Sequence, residues 1–85
     1  MSDLKAQFDT AVADVQRLSA KPDNATLLAL YGLFKQATMG DVKGDRPEGF
    51  DFVAAAKFDA WDGRRGMSRD DAMASYVALV AKLTG

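Results

Sequence analysis

Wherever apolar residues recur in this chain, they recur every three or four positions, and no segment alternates apolar and polar as a strand does. That restricts the fold to helices packed on helices. Leu4, Phe8, Ala11, Val12, Val15 and Leu18 make the first stripe, with Ser2 or Asp3 placed to cap it. Lys21-Pro22-Asp23-Asn24 ends that helix and starts a second, Ala25 to Met39. Its stripe is Leu27, Leu30, Tyr31, Phe34 and Thr38, flanked by Leu28 and Ala37. A third helix is predicted from Phe52 to Arg65, with Ala54, Phe58 and Trp61 on one face and Gly63 and Gly66 at its end. The last follows Ser68 as N-cap, with Asp70 and Asp71 at the positive end of its dipole. Its stripe runs through Ala72, Met73, Tyr76, Val77, Val80 and Leu83. The fold class is all-α: four helices around one core, joined by two short turns and one long loop.

Length and composition narrow the function. The chain has 85 residues, enough for one domain spanning 1–85, and is 48% hydrophobic, enough for a packed core. A formal net charge of −1 argues against a general nucleic-acid binder. There is no Cys and no His. Thiolate nucleophiles, the commonest general base and the commonest zinc ligand are therefore missing together. None of the carboxylates has an evident partner for acid–base work. The expectation is a protein with no catalysis, no metal and no cofactor. No apolar run reaches the length of a membrane span and the N-terminus lacks a signal peptide's apolar segment, so a cytoplasmic location is expected.

Three loop patterns are weak. Asp41, Asp45 and Asp51 suggest a cation, but Lys43 and Phe52 occupy positions where a calcium loop needs oxygen ligands. Gly63-Arg64-Arg65-Gly66 has the form of a KH loop without the strands of that fold. Gly40 to Gly44 lacks the Gly-Lys-Ser/Thr ending of a phosphate loop. The loop from Gly40 to Asp51 is long for a small domain and needs anchoring, for which a pairing of Arg46 with Asp41 is the expected device.

The informative stretch is Tyr31 to Pro47. Tyr31 and Lys35 are one helical turn apart and share a face. Together they offer a stacking surface and a charge that pairs with phosphate. The second helix has almost no other charge, which makes Lys35 conspicuous. Taken singly, Tyr31, Lys35, Lys57, Trp61 and Tyr76 each have an ordinary explanation as packing or solvated surface, and Trp61 reads as core.

Taken together, these residues resemble the acyl-CoA-binding protein family. Its core pattern is Y-x-x-(F/Y)-K-Q-A-T-x-G-D-x-x-x-x-R-P, matched here by Tyr31, Phe34, Lys35, Gln36, Ala37, Thr38, Gly40, Asp41, Arg46 and Pro47. Phe8, Leu18 and Pro22 also stand where the family has them. Lys57, Asp59, Ala60 and Trp61 match a second segment, and Gly66, Ser68, Ala72, Met73 and Tyr76 a third. The resemblance implies an up-down-down-up four-helix bundle that holds a long-chain fatty acyl-CoA thioester. It implies a headgroup site at Tyr31, Lys35, Lys57 and Tyr76, with Phe34 beside it and Val12, Leu27 and Leu28 along the acyl chain. Departures are Gln16 and Val53 or Ala55, where the family commonly carries basic residues, and Phe58, where it has tryptophan; Gln16 is kept as a ligand-side position. The implied role is an intracellular carrier and buffer, expected to be monomeric and to deliver the ester to acyl-CoA-using enzymes. The alternatives are a helical module that binds a partner's amphipathic helix and a thioesterase, which the missing His and Cys disfavour.

Overall fold

The computed structural model describes residues 3–84, arranged as α1 (Leu4–Val15), α2 (Asn24–Met39), α3 (Phe52–Asp62) and α4 (Arg69–Thr84). The starts of α1, α2 and α4 follow the predicted capping chemistry, and α3 adds a cap, Asp51, that the sequence reading does not single out. Asp3 accepts from the Lys5 amide, Asp23 from Thr26, Asp51 from Ala54, and the Ser68 hydroxyl from Asp71. Ser2, the other candidate cap, lies outside the described residues. Two helices end one turn earlier than their stripes suggest. After Val15 the amides of Gln16, Arg17 and Leu18 each bond three residues back, and Arg64, Arg65 and Met67 do the same after α3. Such tightening uses up terminal carbonyls and ends the helix.

Residue contacts set the helix directions. Asp14 and Leu18 meet Leu83 while Phe8 meets Tyr76, so α1 and α4 run parallel. Gln36 bonds the carbonyl of Met67, just ahead of α4, while Phe34, earlier in α2, faces Tyr76, so α2 and α4 run antiparallel. Leu28 lies beside Phe52 and Val53, and Gly32 against Ala60, so α2 and α3 run parallel. The arrangement is up-down-down-up.

The helices do not close into a ring. Among the described residues α4 packs on α1 and α2, and α3 packs on α2 alone. The largest buried cluster comes from three helices: Phe8 and Ala11 from α1, Leu30, Leu33 and Ala37 from α2, and Ala72, Tyr76 and Val80 from α4, while Ala55 of α3 and Val42 of the loop are buried outside it. The expected four-helix bundle is present, with its largest buried cluster drawn from three of the helices. The buried stripe of α2 is shifted, because Leu33 and Gln36 are buried whereas Thr38 and Phe34 are exposed. The physical reason is that α2 serves two neighbours, turning one face to α4 and another to α3.

α3 is held by close approach. A Cβ added to Gly32 would collide with the carbonyl of Ala60, whose carbon would lie 2.8 Å away. Only glycine permits the two backbones to meet there. The long loop is anchored, but not by the predicted pair. Arg46 makes a two-pronged ion pair with Asp59 of α3 at 2.9 and 3.1 Å. Asp41 accepts from Gln36 Nε2 and from the amide of Gly66, each at 2.8 Å. Gly66 has φ +89°, the left-handed region that aims its amide back at the loop. Gln36, 1% exposed, also donates to the Met67 carbonyl, so one buried amide ties α2 to the loop and to the α3–α4 turn.

Candidate ligand-binding site

Between α2 and α3 lies a groove of about 490 Å³. Leu27, Leu28 and Tyr31 form its α2 wall; Phe52, Val53, Ala56 and Lys57 form its α3 wall. Lys21 and Asn24 stand at the α2 end. Phe52 and Val53 are 75% and 67% exposed, so the groove has an apolar lip facing solvent. A second depression on the same helix pair, sharing Leu28 and Ala56 with the groove, is lined mainly by small residues such as Ala25, Ala29 and Ala60. Its carboxylate, Asp59, is already bound by Arg46, which holds that carboxyl below the usual carboxylate range.

Charge at the groove is organised by aromatic faces. Lys57 Nζ sits 5.5 Å from the Tyr31 ring centre. Lys35 Nζ lies 5.9 Å from the same ring and 5.1 Å from that of Trp61. The result is an alternating row, Trp61–Lys35–Tyr31–Lys57. Ring faces attract ammonium groups through their quadrupoles without neutralising them. Among the described residues the ion pairs are Lys5–Asp9, Arg46–Asp59 and Arg65–Asp62, and neither Lys35 nor Lys57 belongs to one. Two cations thus stand uncompensated beside an apolar cleft, an arrangement suited to an anionic head on an apolar tail.

The sequence-predicted site residues fall into two groups. Leu27, Leu28, Tyr31 and Lys57 line the groove, and Lys35 joins them through the shared Tyr31 ring. Phe34 and Tyr76 belong instead to an aromatic cluster on Phe8: Phe8 stacks on Phe34 at 5.9 Å and meets Tyr76 edge-on at 5.1 Å. Tyr76 is 4% exposed, and burial raises its phenol pKa, keeping the hydroxyl protonated. Val12 packs half-buried against the main core. Gln16 is exposed as the C-cap of α1, and its backbone amide bonds Ala13. Trp61, read from the sequence as core, is half-buried with Lys35 over its ring. The spacing of Lys57 and Trp61 places them one turn apart on α3, but nothing in the sequence reveals that Trp61 faces a lysine on another helix.

Among the described residues no three potential metal ligands converge, and no helix is long and apolar enough to cross a membrane.

The chain is similar to known proteins in both sequence and fold. The family model described as Acyl CoA binding protein matches residues 5–80. Acyl-CoA-binding protein homolog 1 of Caenorhabditis elegans is 50% identical over 76 residues, covering 89% of this chain and 88% of that protein. The crystal structure of Oryza sativa Acyl-CoA-Binding Protein 2 superposes with a TM-score of 0.92 at 36% identity, covering 96% of this chain and 91% of that one. The crystal structure of the acyl-CoA-binding protein from Moniliophthora perniciosa gives a TM-score of 0.88 at 42% identity, covering 98% and 80%.

Proposed function

This chain belongs to the acyl-CoA-binding protein family, and from that premise we propose that it binds long-chain fatty acyl-CoA thioesters in the α2–α3 groove. The whole of 1–85 acts as one acyl-CoA-binding domain. Members of the family are binding proteins and not enzymes. The role is that of a monomeric cytoplasmic carrier and buffer that sequesters the acyl tail and hands the ester to acyl-CoA-using enzymes.

The observation that supports this most is the pair of uncompensated lysines held on aromatic faces beside an apolar cleft. Lys35 and Lys57 bind the phosphates of the CoA moiety, and Tyr31 packs against its base. Leu27 and Leu28 line the acyl chain. Tyr76, with Phe34 beside it, completes the headgroup site, Val12 extends the path of the acyl chain, and Gln16 is a ligand-side polar position. Each buried methylene contributes about 0.8 kcal/mol before association costs. The tail therefore supplies most of the gross affinity, and the headgroup contacts select the ester over free fatty acid.

Calorimetric titration with palmitoyl-CoA, with free CoA and palmitate as controls, tests this. The ester should bind one-to-one and far more tightly than either part. Hydrogen bonds to charged groups contribute about 1.5–3 kcal/mol, so Lys35→Ala should weaken ester binding roughly ten- to hundredfold. Lysine and alanine both favour helix, so helical content should not change. Unchanged affinity in the variant would reject the headgroup site. Absence of saturable ester binding by the unaltered protein would reject the carrier role and favour a protein-binding groove.

A further inference from the structure

We propose that Trp61 is a positioning residue for Lys35: it fixes the ammonium beside Tyr31, at the edge of the groove, and keeps it uncompensated. This rests on the headgroup role assigned to Lys35. The Trp61 indole is held at two points. Its backbone belongs to α3, and its Nε1–H donates to the carbonyl of Gly40, the C-cap of α2, at 2.8 Å. The ring therefore bridges the ends of the two helices that form the groove. Lys35 Nζ lies closer to this ring than to that of Tyr31, 5.1 Å against 5.9 Å. On its remaining side the ammonium approaches Met39 Sδ at 3.3 Å, a weak acceptor that removes little charge.

The hydrogen bond has a second effect. Carbonyls at a helix C-terminus are unsatisfied and attract nearby lysine side chains. Lys35 lies five residues before Gly40 in α2. By occupying the Gly40 carbonyl, the indole removes an acceptor that would draw the ammonium away from the groove. A flexible four-carbon stem otherwise leaves the charge free to wander. Trp61 thus confers direction on Lys35.

A double-mutant cycle with Lys35→Ala separates positioning from simple support. An ammonium–ring contact of this kind should be worth roughly twofold to tenfold in affinity. Trp61→Leu should weaken palmitoyl-CoA binding by that factor in the unaltered background and leave palmitate binding unchanged. In the Lys35→Ala background it should cost nothing further. Trp61→Phe, which keeps a ring face but loses the indole donor, should fall between the two. A full additional loss in the Lys35→Ala background would mean that Trp61 acts only through packing and would overturn the proposal. If Lys35→Ala itself binds normally, the headgroup assignment fails first and this inference fails with it. A measurement on the unaltered chain guards against a misfolded variant. The Lys35 ε-methylene protons should be shifted upfield by the indole ring current relative to those of Lys82, and ordinary shifts there would also overturn the proposal.

Discussion

Replacing Gly32 by alanine probes how closely α2 and α3 approach, and the sign of its effect is informative. Gly32 is buried in the middle of α2. In an ordinary helix interior the change to alanine stabilises by about 1 kcal/mol through helix propensity. Here the new methyl group would press on the Ala60 carbonyl, with its carbon at 2.8 Å and the Trp61 amide nitrogen at 3.3 Å. Those are backbone atoms and cannot turn aside as a side chain would. Overpacking of this kind costs about 1–3 kcal/mol, and rigid neighbours place the cost near the upper end. Net destabilisation of roughly 1–2 kcal/mol follows, which in a domain this small lowers Tm by roughly 5–15 °C. Thermal melts followed by far-UV circular dichroism measure it directly, and urea titration should show a lower midpoint with an unchanged slope. Separation of the helices would also move Lys57 away from Tyr31, so ester affinity should fall in parallel. A higher Tm for Gly32→Ala would refute the close approach, because propensity would then have prevailed without opposition.

Other outcomes follow from the core and from the carboxylates. Phe8 is 2% exposed and touches both Phe34 and Tyr76. Phe8→Ala should cost about 3–5 kcal/mol, a large share of the total stability of a small domain, and a urea midpoint shift equivalent to under about 1 kcal/mol would contradict that role. Asp23, Asp41 and Asp59 have folded-state pKa values lowered from 3.8 by the hydrogen bonds they accept, Asp41 chiefly from the Gly66 amide. A lowered folded pKa gives stability that is complete above the unfolded value and is lost as pH falls through the folded one. Tm should therefore be steady from neutral pH to about 5 and decline below about 4. Asp41→Ala should melt lower at neutral pH and lose less on acidification; an acid limb as steep as that of the unaltered protein would rule Asp41 out as a contributor. Tyr76, whose phenol pKa is raised by burial, has the opposite sign, so its contribution is lost as pH climbs above 10.0.

The helices were legible because each carries its own start signal and a periodic stripe. Asp3, Asp23 and Ser68 cap as their side-chain chemistry dictates. Helix ends were less legible, since Leu18 continues the apolar period of α1 while the backbone has already tightened behind Val15. Period alone also could not apportion the crowded surface of α2 between neighbours. Leu33 and Gln36 face inward because α4 lies there, a fact that no local pattern encodes. Family resemblance located Tyr31, Lys35 and Lys57, and the fold brings all three into one row. Trp61 was missed because its partner, Lys35, is 26 positions away by the numbering of the two residues and on another helix. The partner of Arg46 was missed for the same reason: Asp59 and Asp41 are equally plausible by charge, and only the parallel course of α2 and α3 decides between them.

The attachment of α3 to α2 alone has a consequence for the timing of motion. A helix that adds no residue to the main buried cluster and packs on one neighbour alone can detach while the other three remain folded, a partial opening of lower free energy than global unfolding. Its chief restraints are the Gly32 contact and the Arg46–Asp59 pair. One wall of the groove is therefore built on the least committed of the four helices. A hydrophobic guest lying across both walls would splice that helix to the rest, so that loading and unloading become the making and breaking of a seam in the fold.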